Sequence, residues 1–337
     1  MSLKKIFLVA LLLAAALAGS VAILAQRPIL GADQAPIEFS VAAGSGVRGA
    51  MRQVAEAGAP VSPLLLEALA RWHGQATRIK AGTYLLKPGV SPNELVGQMA
   101  RGEFLQASLT IIEGWTFAQM RAAIAAHPGL KQDAAELDDA ELLARVTPQP
   151  GAPEFAHPEG LFFPDTYVFA KGSSDLLVYR QAHAQLMRRL QQAWANRAAD
   201  LPYQNPYEAL IMASIVEKET GREQERAEVA GVFVNRLRLG MLLQTDPTVI
   251  YGMGAAFDGN IRKRDLQTDT PYNTYTRAGL PPTPIALPGA ASLQAATQPA
   301  STSALYFVAR GDGSSHFSPN LGEHNRAVDK YQRRARP

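Results

Sequence analysis

The sequence predicts an α+β protein carried on a single N-terminal apolar helix, with a small α+β module and a larger mixed helix–strand domain behind it. Three observations lead there. Lys4 and Lys5 precede a weakly polar-to-apolar run from Ile6 to Ala25, about the 20 residues that an α-helix needs to cross hydrocarbon. Short alternating strands and helix-period stretches then interleave between residues 37 and 104. From Leu109 the alternation starts again, now with longer helices.

The two lysines place residues 1–5 in the cytoplasm, with 6–25 as a retained anchor and everything beyond Arg27 across the membrane. A cleaved signal is the alternative, since Ala22 to Ala25 offers small residues. The run is longer than the usual apolar core of a signal peptide, so the anchor is preferred. Residues 26–36, with Pro28, Gly31 and Pro36, read as a linker.

The first strand is Ile37 to Val41, alternating as a half-buried strand should. Helices follow at Val47 to Ala57, stopped by Gly58, and at Pro63 to Trp72. Ala81 to Leu86 is a second strand, and Ser91-Pro92-Asn93-Glu94 opens a helix with a capping-box pattern. In the second part, Leu109 to Ile112 reads as a strand and Thr116 to Ala126 as a helix. Residues 133–153 read as a polar, proline-ended insertion. His157 to Tyr167 is an aromatic loop, and Leu176 to Asn196 a long amphipathic helix. A helix from about Tyr207 ends before Gly221, and Glu223 to Leu239 is stopped by Gly240. Leu305 to Ala309, a Gly-Asp-Gly turn, His316 to Ser318 and a helix from Leu321 complete the chain.

Composition narrows the function classes. With 47% hydrophobic and 19% charged residues the chain is globular. The absence of cysteine removes disulfides, thiol nucleophiles and thiolate metal sites. A net charge of +3 lacks the concentrated basic face of a nucleic-acid binder, and Arg333-Arg334-Arg336 reads as a solvated helix end. The histidines are scattered without H-E-x-x-H, so no metal or other cofactor is expected; His316, His324 and Glu323 are the one weak grouping. No G-x-S-x-G occurs.

The candidate chemistry lies at the end of the helix from Tyr207, in Glu217-Lys218-Glu219-Thr220-Gly221. By composition alone such an end is more often a solvated face. Yet a carboxylate in the last turn faces the negative end of the helix dipole, and burial beside Ile215 and Val216 disfavours its charge as well. A carboxyl kept protonated near neutral pH is what a general acid requires. Glu217 and Glu219 lie about 200° apart on a helix, so only one can face a cleft. Three loops rich in Tyr, Asn, Gln, Thr and Pro follow: Leu243 to Gly252, Thr270 to Tyr275, and Leu280 to Ile285. Aromatic faces and amides on stiffened backbone suit a sugar polymer; the competing reading is a set of rigid structural loops.

Ser214 to Thr220, Val234-Asn235-Arg236-Leu237, Leu243 to Gly252, Tyr272-Asn273-Thr274-Tyr275 and Gly279-Leu280-Pro281-Pro282 resemble the endolytic murein transglycosylases of the YceG-like family, as do Lys80 to Tyr84 and Gly160 to Tyr167. The resemblance runs from the anchor to the last helix. It implies a single-pass inner-membrane protein with a LysM-like domain over 37–104 and a YceG-like catalytic domain over 105–337, both on the periplasmic side. It implies a lytic transglycosylase that cuts MurNAc–GlcNAc bonds within nascent strands, leaves 1,6-anhydroMurNAc ends and so terminates elongation. Its partners would be peptidoglycan glycan strands, the inner membrane through residues 6–25, and peptidoglycan synthases, with no nucleic acid. The catalytic residue falls on Glu219. Asn235, Gln244, Asp246, Thr248, Tyr251, Asn273 and Tyr275 are candidates for gripping glycan or supporting Glu219. Glu217 and Thr220 are expected behind it, the Thr220 hydroxyl holding Glu219. The alternatives are a membrane-tethered, non-catalytic peptidoglycan-binding scaffold, and a hydrolase with Asp246 as second carboxylate.

Overall fold

The computed structural model describes residues 3–147 and 157–333; part of the 133–153 stretch, residues 1 and 2, and Arg334 and Arg336 lie outside them. The chain begins with α1 (Leu3–Gln26), β1 (Ile37–Val41), α2 (Val47–Glu56), α3 (Pro63–Trp72), β2 (Gly82–Leu86) and α4 (Pro92–Arg101). It continues through β3 (Gln106–Thr110), α5 (Phe117–Ala125), β4 (Leu130–Lys131), α6 (Asp139–Val146), β5 (Thr166–Ala170), β6 (Ser173–Ser174) and α7 (Asp175–Ala195). Then come α8 (Pro206–Glu219), α9 (Glu223–Arg238), α10 (Asp246–Met253), α11 (Lys263–Gln267) and α12 (Ala290–Thr297). The hairpin β7 (Tyr306–Ala309) and β8 (Ser315–Ser318) and helix α13 (Leu321–Val328) close it. The sheets are all two-stranded: β1–β2, β3–β5, β4–β6 and β7–β8. Mixed α+β is therefore the observed class.

Two compact units result. The first holds the described residues up to Ser108 with Pro128–Lys131 and Val168–Ser173; the second holds the rest. In the first unit β1 and β2 pair antiparallel, with Ile37 opposite Leu86 and Val41 opposite Gly82. The cross-strand partners Phe39 and Tyr84 stack at 5.4 Å between centroids. The Tyr84 hydroxyl donates to the Lys80 carbonyl at 2.7 Å, so its burial leaves no orphaned polar atom. Met51, Val54, Leu66, Leu95 and Met99 from α2, α3 and α4 fill the core beneath them. Ile29 and Leu30 belong to the stretch read as a linker, yet Leu30 is buried and the Ile29 N–H donates to the Val90 carbonyl at 2.9 Å. Pro28 and Gly31 mark a turn there, and a turn signal does not report what packs beneath it. Phe7, Leu8, Leu11, Leu12, Leu13, Ile23 and Leu24 of α1 are exposed. Among the described residues no helix is long and apolar enough to cross a membrane; the full stretch 6–25 includes side chains outside that description.

In the second unit α8 is the central helix, packed by α7, α9, α10 and α12. Every residue from Ala209 to Val216 is buried, and apolar on all sides is the pattern of a helix enclosed by others. Its start is fixed locally: Asn205 accepts the Glu208 N–H at 3.1 Å, and Pro206 sits in the first turn. Ser214, fully buried, satisfies itself by donating to the Ile211 carbonyl at 2.7 Å and accepting the Ile285 N–H at 3.0 Å. That second bond fastens the proline-rich 280–285 loop to α8. On α9, a Cβ at Gly231 would lie 2.7 Å from the Ala300 carbonyl oxygen, so only glycine lets the 300–304 segment come in.

Several stretches differ from the sequence reading: β3 covers Gln106–Thr110 rather than Leu109 to Ile112, β5 takes up the end of the aromatic loop, and α11 and α12 were not expected. The segment 243–252 is not wholly loop: Asp246–Met253 form α10. Asp246-Pro247 starts a helix, because proline is tolerated in the first turn, and eight residues are too few to show a stripe. Within 133–153, α6 carries a complete capping box between Asp138 and Glu141. In the first unit, Ser91 and Glu94 make the box expected at α4. Ser91→Ala should lower unfolding free energy by about 1 kcal/mol, the usual cost of a lost N-cap. Urea denaturation of the protein measures it.

Candidate active site

Glu219 is the last residue of α8 and half-buried. Its carboxylate Oε1 accepts a hydrogen bond from the Thr245 hydroxyl, at the N-cap of α10. Burial pushes the Glu219 carboxyl above the usual carboxylate range, and the negative charge of Asp246 pushes the same way. The Thr245 hydroxyl and the Arg236 guanidinium pull it back. Burial is the largest of these and decides the direction. A carboxyl held toward its neutral form, with Oε1 occupied by a donor, presents Oε2 to whatever occupies the site.

The Thr245 hydroxyl is itself held in place. Thr245 is buried, its N–H donates to the Thr274 hydroxyl at 3.1 Å, and the Thr248 hydroxyl donates to the Thr245 carbonyl at 2.8 Å. The Gln244 N–H donates to the Thr274 carbonyl at 3.1 Å, with Gln244 in the left-handed region at φ 50°. Such a conformation is rare for a side-chain-bearing residue and persists only where the surroundings impose it. It leaves the Gln244 side chain exposed at the edge of the site. Beside it the Tyr275 hydroxyl donates to Asp246 at 2.6 Å. Burial, with Asp246 next, holds that phenol above its ordinary pKa, so it stays a donor. Asn273 is buried and spends its amide on the carbonyls of Leu266 and Thr268, at 3.1 and 2.7 Å, while its oxygen accepts the Tyr275 N–H at 2.8 Å.

The residues singled out from sequence therefore separate. Glu219, Asp246 and Tyr275 come together, with Gln244 at the edge. Thr248 and Asn273 are buried and set backbone. Asn235 donates to the Thr302 and Ala304 carbonyls at 2.8 and 3.1 Å, anchoring the segment that Gly231 admits. Tyr251 points elsewhere, to Glu159 at 3.1 Å. Glu217 pairs with Arg226 at 3.3 Å and accepts the N–H of Gly289, the α12 N-cap, at 2.9 Å. Thr220 does not hold Glu219: its hydroxyl oxygen accepts the Arg222 N–H at 3.0 Å. The backbone turns extended at Thr220, which carries its side chain away from the helix surface where Glu219 lies.

Two neighbours of Glu219 were missed as individual residues, although both stand in the quoted motifs. Thr245 carries the hydrogen bond assigned to Thr220. Arg236 is buried, donates to the carbonyls of Leu305 and Leu243, both at 2.7 Å, and lies 5.1 Å over the Tyr306 ring. An arginine inside an otherwise apolar helix face was the available signal. A cavity of about 410 Å³ opens at the other end of α8, among Asn205, Tyr207, Glu208, Leu237 and Leu280, and Glu219 does not line it.

A helix-rich α+β unit with one carboxyl acid held by a hydroxyl at the start of a second helix is the type of site that serves single-acid chemistry. The chain belongs to the YceG-like family, whose model matches residues 39–330. It is 34% identical over 273 residues to a Bacillus subtilis protein named endolytic murein transglycosylase, covering 76% of this chain and 74% of that one. A protein of the same name from Streptococcus pneumoniae is 26% identical over 332 residues, covering 90% of this chain but only 60% of its own length. The crystal structure of a YceG-like protein from Listeria monocytogenes superposes with a TM-score of 0.54 at 29% identity, covering 87% of this chain and 99% of that one.

The neighbours of Glu219 predict opposed shifts. Asp246→Asn removes a charge that raises the Glu219 carboxyl, so the alkaline limb of the kcat/KM profile should move to lower pH. Thr245→Val removes a donor that lowers it, so the limb should move to higher pH. Rate profiles of the two variants on purified glycan strands check both signs.

Proposed function

We propose that the protein is an endolytic lytic transglycosylase that cuts MurNAc–GlcNAc bonds within peptidoglycan strands, with Glu219 as its acid and base. The observation that carries the reading is the neutral-leaning Glu219 carboxyl held by Thr245; membership of the family supports the substrate. Glu219 gives its proton to the glycosidic oxygen as the bond from muramyl C1 breaks, through an oxocarbenium-like transition state. The C6 hydroxyl of the same sugar attacks C1 from within. Glu219, now a carboxylate, takes the proton of that hydroxyl and is restored to the acid. No water is consumed, and the product ends in a 1,6-anhydro ring. Because the nucleophile belongs to the substrate, one carboxyl suffices.

Asp246 then serves as a charge that keeps Glu219 protonated, with Tyr275 fixing its direction. Gln244 and Tyr275, at the edge, are placed to contact glycan. Glu217 holds the α8 end against α12 and takes no part in proton transfer. We read the first unit as LysM-like over residues 37–104, supported by its β1–α2–α3–β2 order with an antiparallel pair. Residues 105–337 are read as the catalytic domain. We read residues 6–25 as a single-pass inner-membrane anchor that leaves the rest in the periplasm. The 24 residues of α1 span about 36 Å at 1.5 Å each, and their exposed apolar side chains favour a lipid surrounding. Acting on nascent strands and terminating their elongation, with synthases as partners, follows from the same reading.

Glu219→Gln should reduce turnover by roughly 10²–10⁴-fold, the usual contribution of a positioned acid–base group, with the fold retained. Mass spectrometry of products from purified glycan strands decides the rest. Anhydro-muramyl ends from the native protein and none from the variant support the reading. No new ends from the native protein would leave a glycan-binding scaffold, and reducing ends would leave a hydrolase.

A further inference from the structure

Glu159 is almost fully buried, at 2% exposure, and takes no part in the reaction just described. Its two oxygens face two different elements: Oε1 accepts the Phe117 N–H at the start of α5 at 2.9 Å, and Oε2 accepts the Tyr251 hydroxyl of α10 at 3.1 Å. No ion pair is formed by Glu159 among the described residues. A buried carboxyl without a cation is costly, so its retention asks for a reason.

The reason lies along α10. Tyr251 meets Tyr272 edge-on at 4.9 Å, and the Tyr272 hydroxyl shares a hydrogen bond of 2.9 Å with Thr283. Next to Glu159, Gly160 adopts φ 76° against Pro284, where a Cβ would come within 2.3 Å of the proline ring. Through Tyr251, one buried carboxyl thus connects the C-terminal turn of α10 to the 270–275 and 280–285 loops. The other end of α10 is Thr245, the donor to Glu219. We propose that Glu159 is a positioning residue: by holding Tyr251 it fixes the tilt of α10, and so keeps the Thr245 hydroxyl on Glu219.

The inference rests on Glu219 as the acid, and it adds a second titration to the site. The groups facing Glu159 are Tyr251 of α10, Tyr207 of α8, His157 of its own loop and Asp139 of α6. Burial pushes its carboxyl up to about 7, against the pull of the Phe117 N–H and the Tyr251 hydroxyl. Above that pH both oxygens accept, as the geometry requires. Below it Oε2 carries the proton and donates, so the Tyr251 hydroxyl must change from donor to acceptor and the bond geometry of the ionised state is lost. The positioned state is therefore the ionised one, present above the folded value and lost as pH falls through it.

The test uses the full chain with Glu159→Gln and Tyr251→Phe, on purified glycan strands, with thermal melting as the check on folding. Glu159→Gln is nearly isosteric and cannot ionise. It should melt as a folded protein, lose roughly 3–30-fold in kcat with KM within about twofold, and lack the limb near pH 7 that the native profile shows on its acid side. Tyr251→Phe should lose a similar factor, and the double variant no more than either single one, because both act through one contact. A Glu159→Gln profile with the native acid limb intact, or a loss confined to KM, overturns the proposal. Glu219→Gln is run alongside: if that variant keeps native turnover, the catalytic reading itself fails, a result distinct from failure at Glu159.

Discussion

The site depends on one contact between residues far apart in the chain, the hydroxyl of Thr245 on the carboxyl of Glu219. Neither partner is free to drift. Glu219 ends a helix in which Ala209 to Val216 are all buried, and Thr245 is tied through its own backbone to Thr274 and Thr248. A hydrogen bond to a charged group contributes about 1.5–3 kcal/mol, which offsets only part of the cost of burying the carboxylate. The balance of these influences sets the protonation state of the Glu219 carboxyl. A contact that was merely present, without the rigidity behind it, would not hold that balance.

Charge around this contact is arranged with opposite signs at short range. Asp246 and burial favour the neutral acid, while Arg236 and Thr245 favour the carboxylate. Arg236 can do this from inside the protein because its guanidinium is satisfied by two carbonyls and an aromatic face. The two carboxylates of Glu217-Lys218-Glu219 meet different fates for the same geometric reason. Two residues apart, they face nearly opposite directions, so Glu217 is taken up by Arg226 and the start of α12 while Glu219 turns to α10.

Much of the framework was legible because it is local. Asn205-Pro206 starts α8, Ser91 and Glu94 start α4, and alternation marks β1 and β2. Where the reading went astray, the signal was short or non-local. α10 has a polar, proline-bearing first turn that looks like a loop, and the capping box of α6 was passed over in a polar stretch. Leu30 looked like linker because nothing in its neighbours says that it is buried and bonded to the Gly89–Val90 turn.

By itself the sequence determined the longer helices, such as α7, α8 and α9, and that a carboxyl stands at the end of an apolar one, since these follow from propensity, caps and period along a few turns. Local pattern left Glu217 and Glu219 as alternatives, the family resemblance pointed to Glu219, and adjacency assigned Thr220 to hold it. Tertiary structure decided otherwise: the chain turns extended at Thr220, and the partner arrives from the start of α10. Likewise only packing decided that Thr248 and Asn273 are interior braces, that Arg236 belongs beside the acid, and that Glu159 reaches Tyr251. Side-chain partners separated by tens of residues are chosen by how helices stack, and no local pattern in the chain encodes that choice.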